Sequence, residues 1–198
     1  MSTIKTTSVK AKAAFIDRDG VINEERNYVH RIEDFVLLPG VIEGLALLRQ
    51  AGFRLVVVTN QAGIARGYYG PAELDRLHTH LVGLLALHGL ELDAIYHCPH
   101  HPQGSVPGLA IACDCRKPAP GMLLQATRDL NLDLHTSVMI GDKPSDIQAG
   151  RAAGVGRTVI VESGHALDVA ARGEADFVAA GLLEAARLLT AADQVVFA

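Results

Sequence analysis

The chain has 198 residues, of which 49% are hydrophobic and 20% are charged, and its net charge is -4. This composition is typical of a globular protein with one sizeable core. No Lys/Arg run indicates binding to nucleic acid or an anionic membrane, and no apolar stretch approaches the roughly 20 residues of a membrane span. The polar segment 1–12 does not resemble a secretory signal, so we expect a flexible leader and a single cytoplasmic domain over 13–198.

Apolar runs with strand-like and helix-like spacing alternate along the chain. Short runs rich in β-branched residues predict strands at 13–17, 53–60, 92–98, 136–142 and 158–163. Helical spacing predicts helices at 41–52, 71–89, 118–132, 144–154 and 177–192. This alternation predicts an α/β fold, a Rossmann-like arrangement of three layers around a mostly parallel sheet. In such sheets ligands bind at the carboxyl ends of the strands.

Charged and hydroxyl side chains lie at four of these strand ends or helix starts. Asp17 and Asp19 follow the first strand, and residues two apart in an extended chain point the same way. Two carboxylates so close require a cation or a shared proton. The other ends carry Thr59-Asn60-Gln61, Arg116-Lys117 and Gly141-Asp142-Lys143-Pro144-Ser145-Asp146. Taken singly, each group has a structural interpretation as a solvated turn, a strand end, a solvated lysine or a helix cap.

All three cysteines lie in one loop rich in Pro, Gly and His, residues 98–117. Three thiolates and one imidazole form a tetrahedral zinc set, here Cys98, His100, Cys113 and Cys115. His101 is a competing imidazole, and spacing alone does not choose between the two histidines. Core packing fits poorly in so polar a loop, and a disulfide would leave one thiol over in a reducing compartment. Four ligands close the coordination sphere, so we expect a structural zinc that fixes the direction of Arg116 and Lys117.

The order of the strand-end motifs resembles that of the haloacid dehalogenase (HAD) superfamily of aspartyl-phosphate phosphatases. The motifs are D-x-D-G-V, a hydrophobic-T-N segment, R-K-P and G-D-K-P-S-D, and the resemblance runs from Ala13 to Gly154. It implies an Mg²⁺-dependent phosphatase. Asp17 would be the nucleophile that forms an aspartyl phosphate, and Asp19 would be the general acid and base.

The same resemblance implies roles for the remaining motif residues. Thr59 and Lys117 would hold the phosphoryl oxygens, and Asp146 would orient Lys117 or a magnesium-bound water. The Mg²⁺ ligands would be Asp17, the backbone carbonyl of Asp19, and Asp142. Predicted helices, a strand and loops account for most of the segments between the motifs, which leaves no room for a cap domain. We therefore expect a capless core with an open site.

The combination of C-P-H-H-P…C-D-C-R-K-P with G-D-K-P-S-D in a capless core is similar to the D-glycero-D-manno-heptose 1,7-bisphosphate 7-phosphatase family. That resemblance implies removal of the C7 phosphate from a sugar bisphosphate. The substrate contacts it implies are Glu25, Arg26, Asn27, Tyr28, Asn60, Gln61, Arg116 and Lys143. The pattern expected at 25–28 is Asp-x-Gly-Tyr, and Asn27 stands where the family has a small residue.

Three alternatives remain beside this interpretation. A histidinol-phosphate phosphatase would share the core and the zinc loop. The negative net charge of the chain disfavours a phosphatase that acts on the ends of nucleic acids. A non-catalytic, zinc-stapled interaction module is disfavoured because the catalytic motif residues are intact. We therefore expect a monomeric enzyme with Mg²⁺ and Zn²⁺ that acts on a small sugar phosphate, and we expect residues 160–198 to close the sheet.

Overall fold

The computed structural model describes residues 10–165 and 169–195. Its strands are β1 (Ala13–Ile16), β2 (Arg54–Asn60), β3 (Ala94–Cys98), β4 (Val138–Gly141), β5 (Arg157–Val161) and β6 (Phe177–Ala179). Its α-helices are α1 (Val41–Gln50), α2 (Ala62–Ala65), α3 (Pro71–Ala86), α4 (Gly121–Leu130), α5 (Pro144–Ala153), α6 (Val169–Gly173) and α7 (Leu182–Val195). Short 3-10 helices lie at Ile32–Asp34 and Leu134–Thr136. The predicted α/β fold class is confirmed.

The six described strands form one parallel sheet in the order β3-β2-β1-β4-β5-β6. β1 lies near its centre, with Ile16 in register with Val57 of β2 and with Ile140 of β4. The chain therefore leaves β1 toward one side of the sheet and later crosses to the other side. The carboxyl ends of β1, β2 and β4 meet at this switch point, which is where open parallel sheets form a binding crevice.

The central strands are buried on both faces because successive side chains of a strand point to opposite sides. Ala14 and Ile16 pack into one core with residues of α1, α3 and α7. Ala13 and Phe15 pack into a second core with residues of α4 and α5. The two cores clamp β1 between helix layers, so the position of the residues that follow β1 is fixed.

The turn from β4 into α5 brings a buried acid to the crevice. Pro144 occupies the first position of the helix, and the Asp146 carboxylate accepts from the Lys143 amide at 3.0 Å. Any side chain on Gly141 would collide with Asp146. Glycine at the end of β4 therefore allows α5 to approach the sheet closely enough to place Asp146 inside the crevice.

The C-terminal part differs from the sequence prediction. Residues 177–192 were expected to form one helix, but Phe177–Ala179 pairs with β5 as strand β6 and the helix begins at Leu182. The segment 177–183 is apolar or glycine at every position, so its spacing does not distinguish a short strand from a helix start. The prediction for the start of this helix was wrong, and β6 forms one edge of the described sheet.

The segments that could hold a cap domain are short in the described chain. Between β1 and β2 lie loops, one 3-10 helix and α1, and between β2 and β3 lie α2 and α3. Most of the predicted leader, residues 1–12, lies outside the described residues. None of the described helices combines the length and the apolar character needed to cross a membrane.

Candidate active site

A cavity of about 490 Å³ opens at the carboxyl edge of the sheet. We use the name cavity floor for four buried lining residues, Asp17, Thr59, Lys117 and Asp146, together with the buried Asp142, whose carboxylate lies within 4.8 Å of those of Asp17 and Asp146. We use the name cavity rim for seven of its half-exposed or exposed lining residues: Glu25, Asn27, Tyr28, Arg66, His101, Arg116 and Lys143. The floor comes from strand ends, from the start of α5 and, for Lys117, from the end of the cysteine loop, whereas the rim comes mainly from loops.

Lys117 is the central cation of the cavity floor. Its Nζ lies 2.9 Å from Asp17 Oδ1 and 2.6 Å from Asp146 Oδ1, and it donates to the Val58 carbonyl at 2.7 Å. Asn60 holds the Lys117 backbone by donating to its carbonyl at 3.0 Å and accepting from its amide at 3.1 Å. Burial disfavours the charged amine, but the two carboxylates raise the pKa of Lys117 above its usual value. The lysine is therefore a fixed positive charge.

Three carboxylates of the floor converge, since oxygens of Asp17, Asp142 and Asp146 all lie within 4.8 Å of one another. Burial raises the pKa of Asp17 to about 7, with Lys117 opposing the rise and the other two acids adding to it. Burial raises the pKa of Asp142 as well. Asp142 Oδ1 has no hydrogen-bond partner among the described residues, while Oδ2 lies 2.5 Å from His165 Nδ1. Buried, crowded carboxylate oxygens with one unpartnered atom are a donor set that fits Mg²⁺.

Asp19 stands beside the floor and is held by three donors. Arg18 Nη2 lies 2.7 Å from Oδ1, Asn23 Nδ2 lies 2.9 Å from Oδ1, and Gln61 Nε2 lies 3.1 Å from Oδ2. Burial opposes ionisation, but the Arg18 guanidinium and these bonds hold the pKa of Asp19 below its ordinary value. Arg18 is itself fully buried and donates to the Val29 carbonyl at 2.9 Å. Asp19 is therefore an oriented, ionised carboxylate in this state.

Gln61 connects the floor to the residues around it. Its Nε2 lies 2.8 Å from Thr59 Oγ1, and its Oε1 accepts from the Tyr69 hydroxyl at 2.5 Å. Because the same Nε2 also donates to Asp19, one amide sets the positions of a hydroxyl and a carboxylate. Thr59 is 1% exposed and lines the cavity, so its hydroxyl faces the space that a ligand would occupy.

The cysteine loop brings four side chains that can bind a metal close together. Ligand atoms of Cys98, His100, Cys113 and Cys115 all lie within 4.8 Å of one another. The sulfur of Cys115 lies 3.1 Å from that of Cys98 and 3.3 Å from that of Cys113, and His100 Nδ1 lies 3.4 Å from it. Three thiols and one imidazole at such distances are the donor set of a structural zinc site. The ring of His101 does not belong to this group.

The loop between β1 and α1 forms one side of the rim. Glu25 Oε2 lies 3.3 Å from Lys143 Nζ, which connects this loop to the start of α5. Asn27 and Tyr28 have positive φ angles of 54° and 66°, and the Tyr28 ring packs edge-on against Tyr68 at 4.9 Å. Asparagine is among the side chains that tolerate this left-handed region best after glycine. Asn27 therefore suits the backbone at the position where a small residue was expected.

Comparisons with known proteins agree with this site. Residues 114–185 match the HAD-hydrolase-like family model. The chain is 49% identical over 166 residues to the D-glycero-beta-D-manno-heptose-1,7-bisphosphate 7-phosphatase of Escherichia coli K12, which covers 84% of this chain and 87% of the relative. The chain belongs to this phosphatase family. A relative from Photorhabdus laumondii, named for the alpha anomer, is 47% identical over 79% of this chain and 85% of its own length.

Among solved structures, the family's D,D-heptose 1,7-bisphosphate phosphatase from B. bronchiseptica, complexed with magnesium and phosphate, matches with a TM-score of 0.80. It is 34% identical and the match covers 91% of this chain and 99% of that one. The resemblance to the HAD superfamily and to the heptose bisphosphate phosphatases is thus confirmed. The chain is a phosphoric monoester hydrolase of this superfamily.

The structure places most of the predicted site residues around the cavity, but not all of them. All five floor residues meet, and Asp19 stands beside them. Of the eight predicted substrate contacts, Arg26 lies outside the cavity lining because its guanidinium pairs with Glu24 at 2.6 Å. Asn60 and Gln61 line the cavity, but their amides are engaged by Lys117 and by Asp19. Both residues act in this state as supports for charged side chains.

Four residues of the site were not identified from the sequence: Arg18, Arg66, Tyr69 and His165. Arg18 lies inside the D-R-D-G motif, and an arginine between two aspartates could have been read as their counter-ion. Arg66 and Tyr69 follow the T-N-Q segment at the end of β2, which a parallel sheet directs toward the same crevice. His165 follows β5 at that same edge. For these three the available signal was their position after a strand end.

Proposed function

We propose that the chain hydrolyses the C7 phosphate ester of D-glycero-D-manno-heptose 1,7-bisphosphate through a phosphorylated Asp17. The observation that carries this proposal is the ion pair between Asp17 and Lys117 at the floor of the cavity, with an Asp142 oxygen within 4.8 Å of the same carboxylate. Such a floor offers a nucleophile, a fixed cation and acidic oxygens in one place. The sequence identity to the heptose bisphosphate phosphatases supports the choice of substrate.

In the first half-reaction, an Asp17 carboxylate oxygen attacks phosphorus and the bond between phosphorus and the C7 oxygen breaks. The leaving alkoxide takes a proton from Asp19. Arg18 favours the ionised form of Asp19 before substrate enters, and the negative phosphate favours the protonated form because it is a like charge beside the carboxylate. Lys117 and the Thr59 hydroxyl stabilise the equatorial oxygens of the transferring group.

In the second half-reaction, Asp19 removes a proton from a water molecule. That water attacks phosphorus, the bond to the Asp17 oxygen breaks, and inorganic phosphate leaves with Asp17 restored as a carboxylate. Asp146 holds Lys117 in place during both steps, at 2.6 Å from its Nζ. Asn60 supports the same lysine through its backbone.

Two metal ions complete the proposal. Mg²⁺ bound by Asp17, Asp142 and the Asp19 backbone carbonyl would neutralise charge between the acids and the incoming phosphate. The unpartnered oxygen of Asp142 and the raised pKa of Asp17 support this assignment. Zn²⁺ bound by Cys98, His100, Cys113 and Cys115 would hold the polar loop that carries Arg116 and Lys117. We further propose a monomer that acts in the cytoplasm, where free thiols persist.

The test of this function is phosphate release with Mg²⁺ from three substrates: the β and α anomers of heptose 1,7-bisphosphate, and histidinol phosphate. We expect kcat/KM for one heptose anomer to exceed that for histidinol phosphate by at least about 100-fold, a ratio typical of a site built for its substrate's polar groups. The preferred anomer assigns the chain to one of the two activities named among its relatives. Higher activity on histidinol phosphate would refute the proposal.

A further inference from the structure

A histidine occupies a buried position on the apolar face of helix α3. The buried residues of this helix have the spacing of one side of an amphipathic helix, and they are Leu74, Leu77, His78, Leu81 and Leu85. His78 is the only polar residue among these five, and it is 9% exposed. A buried imidazole costs free energy unless its nitrogen atoms have hydrogen-bond partners. No step of the proposed reaction uses this side chain, and it lies outside the cavity lining.

The partner of His78 is Arg18, the fully buried arginine between the two aspartates that follow β1. Arg18 Nη1 lies 3.3 Å from His78 Nε2. Because a guanidinium has only N–H donors, Nε2 must accept, and the ring hydrogen of the neutral imidazole then resides on Nδ1. Burial lowers the pKa of His78 to about 3, and the charges of Arg18 and His97 add to this effect while Asp19 opposes it. The ring is therefore neutral and able to accept.

The other donors of Arg18 are directed mainly at Asp19. Arg18 Nη2 lies 2.7 Å from Oδ1 and 2.8 Å from Oδ2 of this carboxylate, and Nε lies 3.2 Å from Oδ1. Nη2 also donates to the Val29 carbonyl at 2.9 Å. Within the described part of the chain, His78 provides the acceptor for Nη1. A guanidinium is planar and rigid, so an acceptor on one of its nitrogens fixes the direction of all its donors.

We propose that His78 is a positioning residue for the reaction, which holds the Arg18 guanidinium in the orientation that places Asp19 for proton transfer. This inference rests on the proposed function, in which Asp19 gives a proton to the leaving oxygen and later takes one from water. His78 does not line the cavity, so its effect on the reaction passes through Arg18.

Loss of this acceptor would leave Arg18 with a buried N–H group that has no partner. Such a group is costly, so the guanidinium would turn toward another acceptor, and its contact with both oxygens of Asp19 would change. A general acid must lie within hydrogen-bond reach of the oxygen that it protonates, and a small displacement slows the transfer. The attack of Asp17 on phosphorus uses no proton from Asp19. The defect should therefore depend on how strongly the leaving group needs a proton.

The experiment compares two substrates that differ in this need. Heptose 1,7-bisphosphate releases an alkoxide, which requires a general acid, whereas p-nitrophenyl phosphate releases a phenolate that is stable without a proton. For both substrates kcat/KM includes the steps up to departure of the leaving group. The ratio of the two kcat/KM values therefore reports on the general acid and is independent of the later hydrolysis of the aspartyl phosphate.

The variants are His78→Leu, His78→Gln, the control His80→Leu, and Asp19→Asn as the reference for loss of the acid. We expect His78→Leu to lower kcat/KM for heptose 1,7-bisphosphate by about 10- to 100-fold and that for p-nitrophenyl phosphate by less than about 3-fold. His78→Gln should recover most of the loss, because an amide oxygen can accept from Arg18 Nη1. The His80 ring packs edge-on against the Phe35 ring, so His80→Leu should keep both values.

A second measurement tests the contact itself without turnover. The nitrogen NMR chemical shifts of the His78 ring, assigned by comparison with His78→Gln, should show Nδ1 protonated and Nε2 unprotonated at neutral pH. A ring that carries its hydrogen on Nε2, or hydrogens on both nitrogens, would overturn the inference, because Nε2 could not then accept from Arg18.

The kinetic outcomes separate this inference from the proposed function. If Asp19→Asn slows the heptose substrate far more than the aryl substrate, but His78→Leu slows both equally or neither, the positioning role is overturned and the function is retained. A loss in His78→Gln as large as in His78→Leu would assign the effect to packing around the ring and would also overturn the role. Equal losses on both substrates in Asp19→Asn, or wild-type enzyme without activity on the heptose substrate, would overturn both proposals.

Discussion

At the cavity floor, charged side chains are buried and paired, whereas the half-exposed arginines of the rim form no ion pair with any acid in the described part of the chain. Lys117 is 3% exposed and has two carboxylate partners, while Arg66 retains a buried nitrogen without any partner. The floor is positioned by a parallel sheet with cores on both faces. The rim is positioned mainly by the loop between β1 and α1 and by the cysteine loop. A buried, paired centre suits chemistry on one fixed group, and unpaired loop donors suit recognition of a variable ligand.

The largest expected effect is the loss of activity when Asp17, the proposed nucleophile of the floor, is replaced. Asp17→Asn should reduce phosphate release from heptose 1,7-bisphosphate by roughly 10⁴-fold or more, because an amide cannot form the aspartyl phosphate. Far-UV circular dichroism should be unchanged, since the substitution preserves shape. Asp34→Asn, in the 3-10 helix Ile32–Asp34 outside the cavity lining, is the matched control and should retain wild-type turnover. Near-normal turnover in Asp17→Asn would exclude this residue as the nucleophile.

Removal of Lys117, the central cation of the floor, tests whether charged residues of the floor contribute more to the free energy of unfolding than those of the rim. Lys117→Met leaves Asp17 and Asp146 buried without their cation, so the free energy of unfolding should fall by about 3–5 kcal/mol in urea titrations. Adding Asp146→Asn should restore part of the stability but none of the activity. Arg116→Met, at the rim, should cost less than about 1 kcal/mol. Equal losses in the two methionine variants would contradict the contrast between floor and rim.

The pH dependence of the metal-free protein probes the same floor. The pKa of Asp17 is raised from 3.8 to about 7, so the native state binds this proton more tightly than the unfolded chain does. The stabilisation is complete below the unfolded pKa and is lost as pH rises through the native value, a change on the order of 4 kcal/mol for this group. Urea unfolding with a chelator should show stability falling between about pH 4 and pH 8.

Two comparisons identify the group that makes the stability fall as the pH rises. Asp17→Asn should flatten it, and Mg²⁺ should raise stability most at the alkaline end, because the metal binds the deprotonated carboxylates. Glu33→Gln, an exposed change, is the control that should leave the slope unaltered. A slope that persists in full in Asp17→Asn would show that other groups produce it.

The zinc-ligand candidate His100 of the cysteine loop can be distinguished from its neighbour His101 by a pair of matched substitutions. His100→Gln should lose most of the bound zinc, and His101→Gln should retain about one ion per chain, because His100 alone of the two lies within the cysteine cluster. Cys113→Ser should lose zinc as well. Elemental analysis of the purified variants gives the result directly. Full zinc content in His100→Gln, or its loss in His101→Gln, would contradict the assignment.

Loss of zinc should lower the activity only indirectly, through its effect on the cysteine loop. In the zinc-free variants we expect kcat/KM to fall by about 10-fold, far less than for Asp17→Asn, since the loop orients Arg116 and Lys117 without taking part in bond breaking. Unfolding of the first hydrophobic cluster should change little, because none of the zinc-ligand candidates belongs to it, whereas Cys98 belongs to the second cluster.

The floor could be predicted from the sequence because parallel strands deliver their carboxyl ends to one edge. Asp17, Thr59 and Asp142 each follow an apolar run, so their convergence required only the fold class. The cysteine set was equally accessible, since three thiols in one loop leave few chemical alternatives. The fold class was predicted correctly for the same reason, although β6 was mistaken for a helix start.

The partners of the site residues could not be predicted, because they depend on contacts between distant segments. Asn60 and Gln61 were expected to touch substrate, but their amides are engaged by the Lys117 backbone and by Asp19. The docking of Ser105 on Ala65, which brings Arg66 beside the cysteine loop, likewise has no signature in either segment alone. Spacing predicts which residues reach an edge, and packing decides what each side chain contacts there.

The smallest expected effect concerns the backbone of the rim. Asn27 has a φ of 54°, a region that costs most L residues about 1–2 kcal/mol and costs asparagine less. Asn27→Gly should therefore change the free energy of unfolding by less than about 0.5 kcal/mol, and Asn27→Val should lower it by about 1 kcal/mol or more. Glu33→Gln, at an exposed residue of the neighbouring 3-10 helix, serves as the control for both urea titrations. Equal stability of the Gly and Val variants would mean that the loop relaxes freely. The rim would then be shaped by its ligand, whereas an intact difference would mean that its backbone is fixed before substrate arrives.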